Sequence, residues 1–508
     1  MADHTVGALL EELPGAELVR GSRDVAVTDV THDSRSVSPG MLFIAVPGQR
    51  TDGHEYIPQA VTAGSAAVVV QKDREVPPGD DLAVIAVDDS RFALSAASAW
   101  FWGHPSREMT VVGVTGTDGK TTTSHLLTSV LEASGLPVGR LGTVDVHLPG
   151  ATQASDSRMT TPEAPEVHAR LRDMADAGCR FAIVESTSHG LALQRLEHVE
   201  YDIAVMTNIT GDHLDFHETF DAYRAAKTRL FEMLDRPSPK AIARRAIVNA
   251  DDPSAEHCLR HTKAVPLRFG LENPEVEVRA EDVSLRSNGS DFRLVTPIGS
   301  ADVTLSIPAL FNVSNALAAA SVGVALGFAP QVIAAGLAAS PGVPGRMERI
   351  DAGQPFEVIV DYAHTGDALR KILEVLRAVT GNRLIVVVGA AGERDPGRRF
   401  GVGRAAAEGA DFAVFTSEDP RTEDPGAIVA EIGRHAADAG RVAGRDFVEI
   451  EDRREAIRHA FSVADAGDVV AICGKGHERS IIYGETTLPW DDRIVAREEL
   501  ARRGFTKT

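Results

Sequence analysis

Apolar and polar positions alternate along the chain with two periods, and the switches between them mark out its elements. Apolar runs at 41–46, 66–70 and 83–87 are interleaved with helical spacing such as 57–63, which predicts a small α/β domain over residues 1–108. A helix end and linker are expected at 100–106, where Gly103 and Pro105 break the pattern. From 109 to 345, extended runs at 110–114, 181–184, 201–207 and 246–249 alternate with helical segments, the signature of a mostly parallel sheet. Between 276 and 308 the period shortens to two around an Asn288-Gly289 turn, so antiparallel hairpins are expected as an addition to that sheet, before 312–326 returns to helix. Prolines and glycines at 341–345 interrupt both periods. Beyond them, runs at 356–360, 384–388, 411–415 and 468–472 separated by helices predict a doubly wound third domain over 346–508.

Composition narrows the class. A length of 508 residues exceeds what one hydrophobic core normally supports, consistent with three domains. The hydrophobic content of 43% is ordinary, and no uncharged apolar run approaches the ~20 residues of a membrane span. The first residues carry no basic stretch followed by an apolar core, so the cytoplasm is the expected compartment. Cys179, Cys258 and Cys473 are too scattered for a metal knuckle or a disulfide framework and read as buried reduced thiols. A net charge of −21 argues against extended nucleic-acid or acidic-membrane surfaces, so any anion site must be a local one. The expected partners are small molecules, with no nucleic acid, no membrane insertion and a monomeric chain.

Candidate chemistry sits where predicted strands end. Gly113-Val114-Thr115-Gly116-Thr117-Asp118-Gly119-Lys120-Thr121-Thr122-Thr123 lies between a β-branched strand and a helix, where backbone N–H groups point outward to an anion. It reads as a nucleotide-phosphate cradle in variant form, because Val114 stands where the usual loop has glycine. Lys120 would reach terminal phosphates, and the hydroxyl of Thr121 or Thr122 would ligate magnesium. Other strand ends are equally polar: Glu185 to His189, Thr207-Asn208, Asp361 to His364, Ser417 to Arg421 and Gly474 to Glu478. Glu185 suits either a helix cap or a magnesium ligand, and His213 either a loop contact or a working imidazole. Tyr223, Lys227 and Phe231 recur at four-residue spacing, which puts Lys227 on an apolar helix face. A stem that snorkels to solvent is one reading of it; an amine converted by carbon dioxide into a carbamate metal ligand is the other.

Taken in order, the cradle, 185–190, 207–217, Lys227, Phe311-Asn312-Val313-Ser314-Asn315, Gly345-Arg346-Met347-Glu348 and 361–364 resemble the Mur ligases of bacterial cell-wall synthesis. The resemblance spans about residues 32–492. It implies an N-terminal domain that holds a UDP group, a central ATP-binding phosphate-loop domain and a Rossmann-like C-terminal domain that presents an amino acid. Carried over by motif, Ser34, Gln49, Arg50 and Thr51 would contact the UDP sugar, and Thr160, Thr161, Thr187 and Arg195 the muramoyl peptide. Gly116, Thr117, Asp118, Gly119, Lys120, Thr121 and Thr122, with Asn312, Asn315, Asp361 and His364, would bind ATP. Thr121, Glu185, His213 and carbamylated Lys227 would serve two magnesium ions, and Lys120, Lys227, His213 and Arg346 would carry the catalysis. The residue after Thr365, usually proline in the family, is Gly366, a change expected to loosen that turn.

The late motifs are similar to those of members that add a diamino acid to UDP-N-acetylmuramoyl-L-alanyl-D-glutamate through an acyl phosphate. Arg394, Arg421, Gly474 and Glu478 match positions that hold both ends of meso-diaminopimelate, and an arginine fork suits its distal carboxylate. The usual Asp-Asn-Pro-Arg reads Glu418-Asp419-Pro420-Arg421 here. The added charge of Asp419 would either repel that carboxylate or pair with Arg421. Lysine and ornithine therefore stand as alternative acceptors. Polyglutamate addition to folate, and a regulatory ATPase without ligase activity, are the competing functions.

Overall fold

The structure is a computed structural model that describes residues 4–48, 51–74, 82–154, 159–211, 214–286, 288–395 and 397–507. The chain forms two compact units, one of residues 1–280, 294–301 and 314–337, the other of residues 281–293, 302–313 and 338–508.

The first unit opens with a five-stranded sheet of β1 (Glu17–Arg20), β2 (Val30–Thr31), β3 (Leu42–Ile44), β4 (Ala67–Gln71) and β5 (Ala83–Val87), ordered β1-β5-β4-β3-β2. Only β1 runs antiparallel to its neighbour. The two-residue repeat separates its faces into two cores: Leu42, Ile44, Val69 and Ile85 pack in one, Phe43, Val68, Val70 and Val84 in the other. β1 and β2 escaped the sequence reading because half-exposed β1 and two-residue β2 carry little apolar signal.

An eleven-stranded sheet follows, with β6 (Thr110–Thr115), β7 (Val138–Leu141), β8 (Asp145–Leu148), β9 (Ala151–Ala154), β10 (Phe181–Glu185), β11 (Ile203–Met206), β12 (Arg245–Asn249), β13 (Val265–Gly270), β14 (Val278–Arg286), β15 (Gly289–Thr296) and β16 (Gly299–Leu305). Its order is β16-β15-β14-β13-β12-β11-β6-β10-β7-β8-β9. β11 and β10 flank β6 in parallel; the chain leaves β6 toward β7 on one side and leaves β11 toward β12 on the other, so the carboxyl ends of β6 and β11 form a topological switch point. The hairpin strands expected at 276–308 are β14 to β16. The antiparallel excursion β7 to β9 was not anticipated from the sequence.

In the second unit a six-stranded sheet is built from β17 (Glu348–Arg349), β18 (Glu357–Asp361), β19 (Leu384–Val388), β20 (Phe412–Phe415), β21 (Phe447–Glu449) and β22 (Val469–Cys473), ordered β17-β18-β22-β19-β20-β21. All but β17 are parallel, as a doubly wound fold requires. A separate hairpin, β23 (Ser480–Tyr483) with β24 (Thr486–Pro489), was missed for its weak apolar pattern.

The expected loosening at Gly366 is not found. Thr365 caps the helix Gly366–Val379, its hydroxyl accepting from Ala368 N at 3.3 Å. Gly366 is the first helical residue, and a Cβ there would stand 2.6 Å from the carbonyl carbon of Gly401 on the helix Gly397–Gly409. The glycine is required by close packing of two backbones. Among the described residues no helix is long and apolar enough to cross a membrane, and all three cysteines are free and buried.

Candidate active site

The cradle is the loop 116–119 between the end of β6 at Thr115 and the helix Lys120–Glu132.

 
Gly119 caps that helix with φ +84 and no side-chain hydrogen bond, so the first-turn N–H groups stay available to a ligand. A Cβ on Gly119 would overlap Asn315 Oδ1, and one on Gly116 would overlap Thr207 Oγ1, which explains both glycines. The end of β11 pins the loop: Thr207 Oγ1 donates to Asp118 O at 2.6 Å, Asp118 N donates to Asn208 Oδ1 at 3.0 Å, and Thr117 N donates to Asn208 O at 2.8 Å. Thr117 Oγ1 lies 2.9 Å from the Tyr223 hydroxyl. Thr121 and Thr122 are buried in the first turn.

Two lysines converge on this loop. Lys120 Nζ donates to Gly116 O and Thr117 O, each at 2.9 Å, and Lys227 Nζ donates to the same Gly116 O at 2.6 Å. Lys227 is 2% exposed, and its ammonium lies 4.6 Å from the Tyr223 ring centroid, so it does not snorkel to solvent. Two cations drawn to one carbonyl oxygen make the loop a strongly anion-attracting place.

Beside them stands a buried carboxylate. Glu185, 1% exposed at the end of β10, accepts from the hydroxyls of Thr121 and Thr143 at Oε2, each at 2.9 Å, and from Thr143 N at Oε1 at 3.3 Å. No lysine, arginine or histidine among the described residues forms an ion pair with it. A Cβ on Gly142 would overlap Oε1, so only glycine lets the backbone approach the carboxylate this closely. A buried anion ringed by hydroxyl oxygens needs a cation, and hard oxygen donors suit magnesium. Among the described residues no three His, Cys, Asp or Glu side chains gather as a cage. His213, expected as a further ligand, lies outside the described residues. Thr143 was missed from sequence; a Gly142-Thr143 step closing an apolar run was the only signal.

The residues assigned to the muramoyl peptide cluster next to Glu185. Thr160 Oγ1 lies 3.0 Å from Thr143 Oγ1, Thr161 Oγ1 donates to Glu185 O at 2.8 Å, and Thr187 Oγ1 donates to Thr161 Oγ1 at 3.0 Å while capping the helix Ser188–Ala192. Arg195 donates to Thr161 O at 3.0 Å and pairs with Glu163 at 2.7 Å. In the N-terminal sheet region Ser34 is buried and donates to Gln59 Oε1 at 3.0 Å. Its neighbour His32 is half-buried, and that desolvation lowers its pKa against the opposing fields of Glu163 and Asp33. Thr51 is exposed, and Gln49 and Arg50 lie outside the described residues.

The second unit gathers its own set. Asp361, at the end of β18, accepts from Met347 N and Ala363 N, each at 2.8 Å, and burial raises its pKa. His364 Nδ1 lies 3.0 Å from Tyr362 O, and the Arg346 guanidinium sits 4.4 Å from the centre of the Tyr362 ring. Asn312 is buried with Nδ2 donating to Pro308 O at 2.7 Å; Asn315 belongs to the first unit, where its Oδ1 accepts from Thr123 Oγ1 at 3.4 Å.

The loops after β20 and β22 meet around Lys475. This fully buried lysine donates to Asp419 Oδ1 at 2.9 Å and to Glu478 Oε2 at 2.6 Å. Burial pulls its pKa down, but Glu478, Asp419 and Glu418 outweigh burial and raise it. Asp419 therefore pairs with Lys475 and does not pair with Arg421 as one sequence-based alternative had it; its Oδ1 also accepts from Ile482 N at 3.1 Å. Glu418 is buried, and burial lifts its pKa to about 7 against the pull of Lys475 and Arg453. Its Oε2 lacks a partner among the described residues and would stand 3.1 Å from a Cβ on Gly474. Pro420 is buried, and Arg421 adopts φ +56 with its backbone N–H donating to Ile482 O at 3.0 Å. Arg394 is exposed in a neighbouring loop, which Gly392 ties to Asp419 O at 2.9 Å. Lys475 itself was not singled out from sequence, although it lies inside the 474–478 motif.

Comparison with known proteins finds one family in three stretches of the chain. Residues 26–102 match the Mur ligase family catalytic domain, 114–323 the Mur ligase middle domain and 345–476 the Mur ligase glutamate ligase domain. The chain is 48% identical to the UDP-N-acetylmuramyl-tripeptide synthetase of Roseiflexus sp. (strain RS-1), over 94% of this chain and 95% of that protein. It is 39% identical to the UDP-N-acetylmuramoyl-L-alanyl-D-glutamate--2,6-diaminopimelate ligase of Geobacillus kaustophilus, over 98% and 99%. A solved structure of a ligase with that second description superposes with a TM-score of 0.68 at 30% identity, covering 98% of this chain and 99% of its own.

Proposed function

The chain belongs to the Mur ligase family of ATP-dependent ligases, and from that premise we propose that it joins a diamino acid, meso-diaminopimelate, to the D-glutamyl side chain of UDP-N-acetylmuramoyl-L-alanyl-D-glutamate in cytoplasmic peptidoglycan synthesis. The observation that carries the reading is the meeting of Lys120, Lys227 and Glu185 around a helix N-terminus: two cations and an uncompensated carboxylate are what a magnesium-bound triphosphate requires.

A carboxylate is a poor acceptor for an amine, because its charge is delocalised and oxide is no leaving group. In the proposed reaction a glutamyl carboxylate oxygen attacks the γ-phosphorus, and the bond to the bridging oxygen of ADP breaks. An acyl phosphate results. The cradle N–H groups and Lys120 hold the phosphates, and Arg346 supplies a further cation for the charge that develops. Magnesium, two ions by family resemblance, would be held by Thr121, Glu185, His213 and a carbamate on Lys227, and supplies charge neutralisation at phosphate oxygens. Thr160, Thr161, Thr187 and Arg195 orient the acceptor peptide, while Ser34, Gln49, Arg50 and Thr51 take its UDP-sugar end. Asn312, Asn315, Asp361 and His364 take the nucleoside end of ATP. The amino group of the incoming residue then attacks the acyl carbon, phosphate leaves, and the amide forms after loss of a proton.

For the amino-acid subsite, Arg394 and Arg421 offer cations to the distal carboxylate, with Glu418, Asp419, Gly474 and Glu478 completing it. The Asp419–Lys475 pair supports diaminopimelate over lysine or ornithine, since it offsets the charge that would otherwise repel the extra carboxylate. The test is phosphate release with ATP, UDP-muramoyl-dipeptide and each of the three amino acids. The expected outcome is a specificity constant for diaminopimelate at least tenfold above the others. A far higher value for lysine or ornithine would reverse the amino-acid assignment, and equal release without any acceptor would point to the ATPase alternative.

A further inference from the structure

An arginine that must meet a phosphate faces a conflict. A carboxylate partner would hold it in place but would also consume the N–H groups the phosphate needs. Arg346 resolves this differently. Its guanidinium lies 4.4 Å from the centre of the Tyr362 ring, while its side chain makes no hydrogen bond or ion pair among the described residues and its Nε is buried without a partner. A π face attracts the cation and leaves the edge donors unspent.

The same ring reaches the amino-acid loop. The His477 ring centroid lies 4.9 Å from that of Tyr362, and burial followed by the field of Arg346 pushes the imidazole pKa down to about 3, so it packs there as a neutral group. The backbones are in contact as well: a Cβ on Gly345 would overlap His477 N, and one on Gly476 would stand 2.7 Å from Tyr362 Cβ. Met347 N, on the other side of Arg346, is fixed by Asp361 at 2.8 Å. The turn that carries the cation and the loop at 474–478 therefore pack as one body.

We propose that Tyr362 is a positioning residue: its ring aims Arg346 at phosphate oxygens without consuming the donors, and through His477 it ties that cation to the amino-acid loop. This rests on the reading that Arg346 faces the transferring phosphate. The Tyr362 hydroxyl makes no hydrogen bond among the described residues, so the ring alone carries the role.

The experiment measures kcat and KM of ligation, with ATP, UDP-muramoyl-dipeptide and diaminopimelate, for Tyr362→Phe, Tyr362→Leu, Arg346→Ala and the Leu–Ala double variant. Tyr362→Phe is expected within about twofold of the parent. Tyr362→Leu is expected to lose roughly tenfold in kcat with a smaller change in the KM for ATP, and to lose nothing further in the Arg346→Ala background. If Tyr362→Leu is too unstable to assay, Tyr362→Met fills the volume without a π face and carries the same expectation. Full activity in Tyr362→Leu, or an equal loss with Arg346 absent, overturns the proposal. Near-normal turnover of Arg346→Ala removes the reading of Arg346 itself, and the proposal with it.

Discussion

Lys227 is buried against the phosphate loop. Its ammonium shares the Gly116 carbonyl with Lys120 and lies beside the Tyr223 ring. Reaction of the amine with carbon dioxide turns the group into an anion next to a cation-attracting carboxylate, which is the arrangement a metal ligand needs. Lys227→Ala is expected to cut ligation by at least about 10³-fold, a loss on the scale of a missing electrostatic stabiliser. Short carboxylic acids should restore part of it and bicarbonate none, as initial rates of phosphate release would show. Near-normal turnover of the unrescued variant would refute the ligand role. Glu418 makes a second prediction, in stability. Its folded pKa of about 7 lies above the usual carboxylate value of 4.5. Between those values the folded chain holds more protons than the unfolded one, so the contribution of Glu418 weakens as pH rises from 4.5 to 7 and is flat outside that window. The groups around it are Lys475, Arg453, Glu478 and Asp419. His477, with a folded pKa of about 3, slopes the other way below 6.5. The clean measure is therefore the difference in unfolding free energy between the parent and Glu418→Gln from pH 5 to 8. That difference should shift in favour of the variant by up to about 3 kcal/mol as pH rises, and a flat difference would show that Glu418 ionises normally.

Elements explain why the family-like proline is missing at Gly366. Proline is favoured at the first position of a helix, and replacing glycine with it there would ordinarily stabilise by shrinking the unfolded ensemble. Here the helix Gly366–Val379 lies backbone to backbone on Gly401. Gly366→Pro is therefore expected to destabilise the chain by about 1–3 kcal/mol, read as a lower denaturation midpoint; a raised midpoint would show that the two helices part without loss. Sequence periodicity could not anticipate this, because it reports which face of a helix is apolar and nothing about how closely two helices approach. The same boundary separates what was legible from what was not. β6, β10, β11, β18, β19, β20 and β22 were read from buried apolar runs that end in polar residues, and those ends are where Glu185, Thr207, Asp361, Glu418 and Gly474 stand. β1, β2, β23 and β24 lack that contrast and were missed. Thr143, Lys475 and the stacking of Arg346 on Tyr362 depend on side chains from segments far apart in the chain, a relation no local pattern encodes.

The whole molecule carries a charge of −21, and two of its proposed substrates, ATP and a UDP-linked peptide, are polyanions. Capture must therefore occur against a long-range repulsive field, with attraction confined to the cradle and its two lysines. Salt separates the two ranges. Between about 0.01 M and 0.15 M ionic strength the Debye length falls from ~30 Å to ~8 Å, which screens the distant surface charge while leaving contacts such as the 2.6 Å Lys227–Gly116 bond and its surroundings little changed. The kcat/KM for ATP and for UDP-muramoyl-dipeptide is thus expected to rise about threefold over that range at constant magnesium, with kcat steady once substrates are bound. Diaminopimelate, a zwitterion without net charge at neutral pH, should show no such rise and serves as the internal control. Initial-rate measurements in a potassium chloride series decide the matter. If kcat/KM for the two anions falls with salt, attraction by the local cations governs the encounter, and the surface charge has no part in substrate capture.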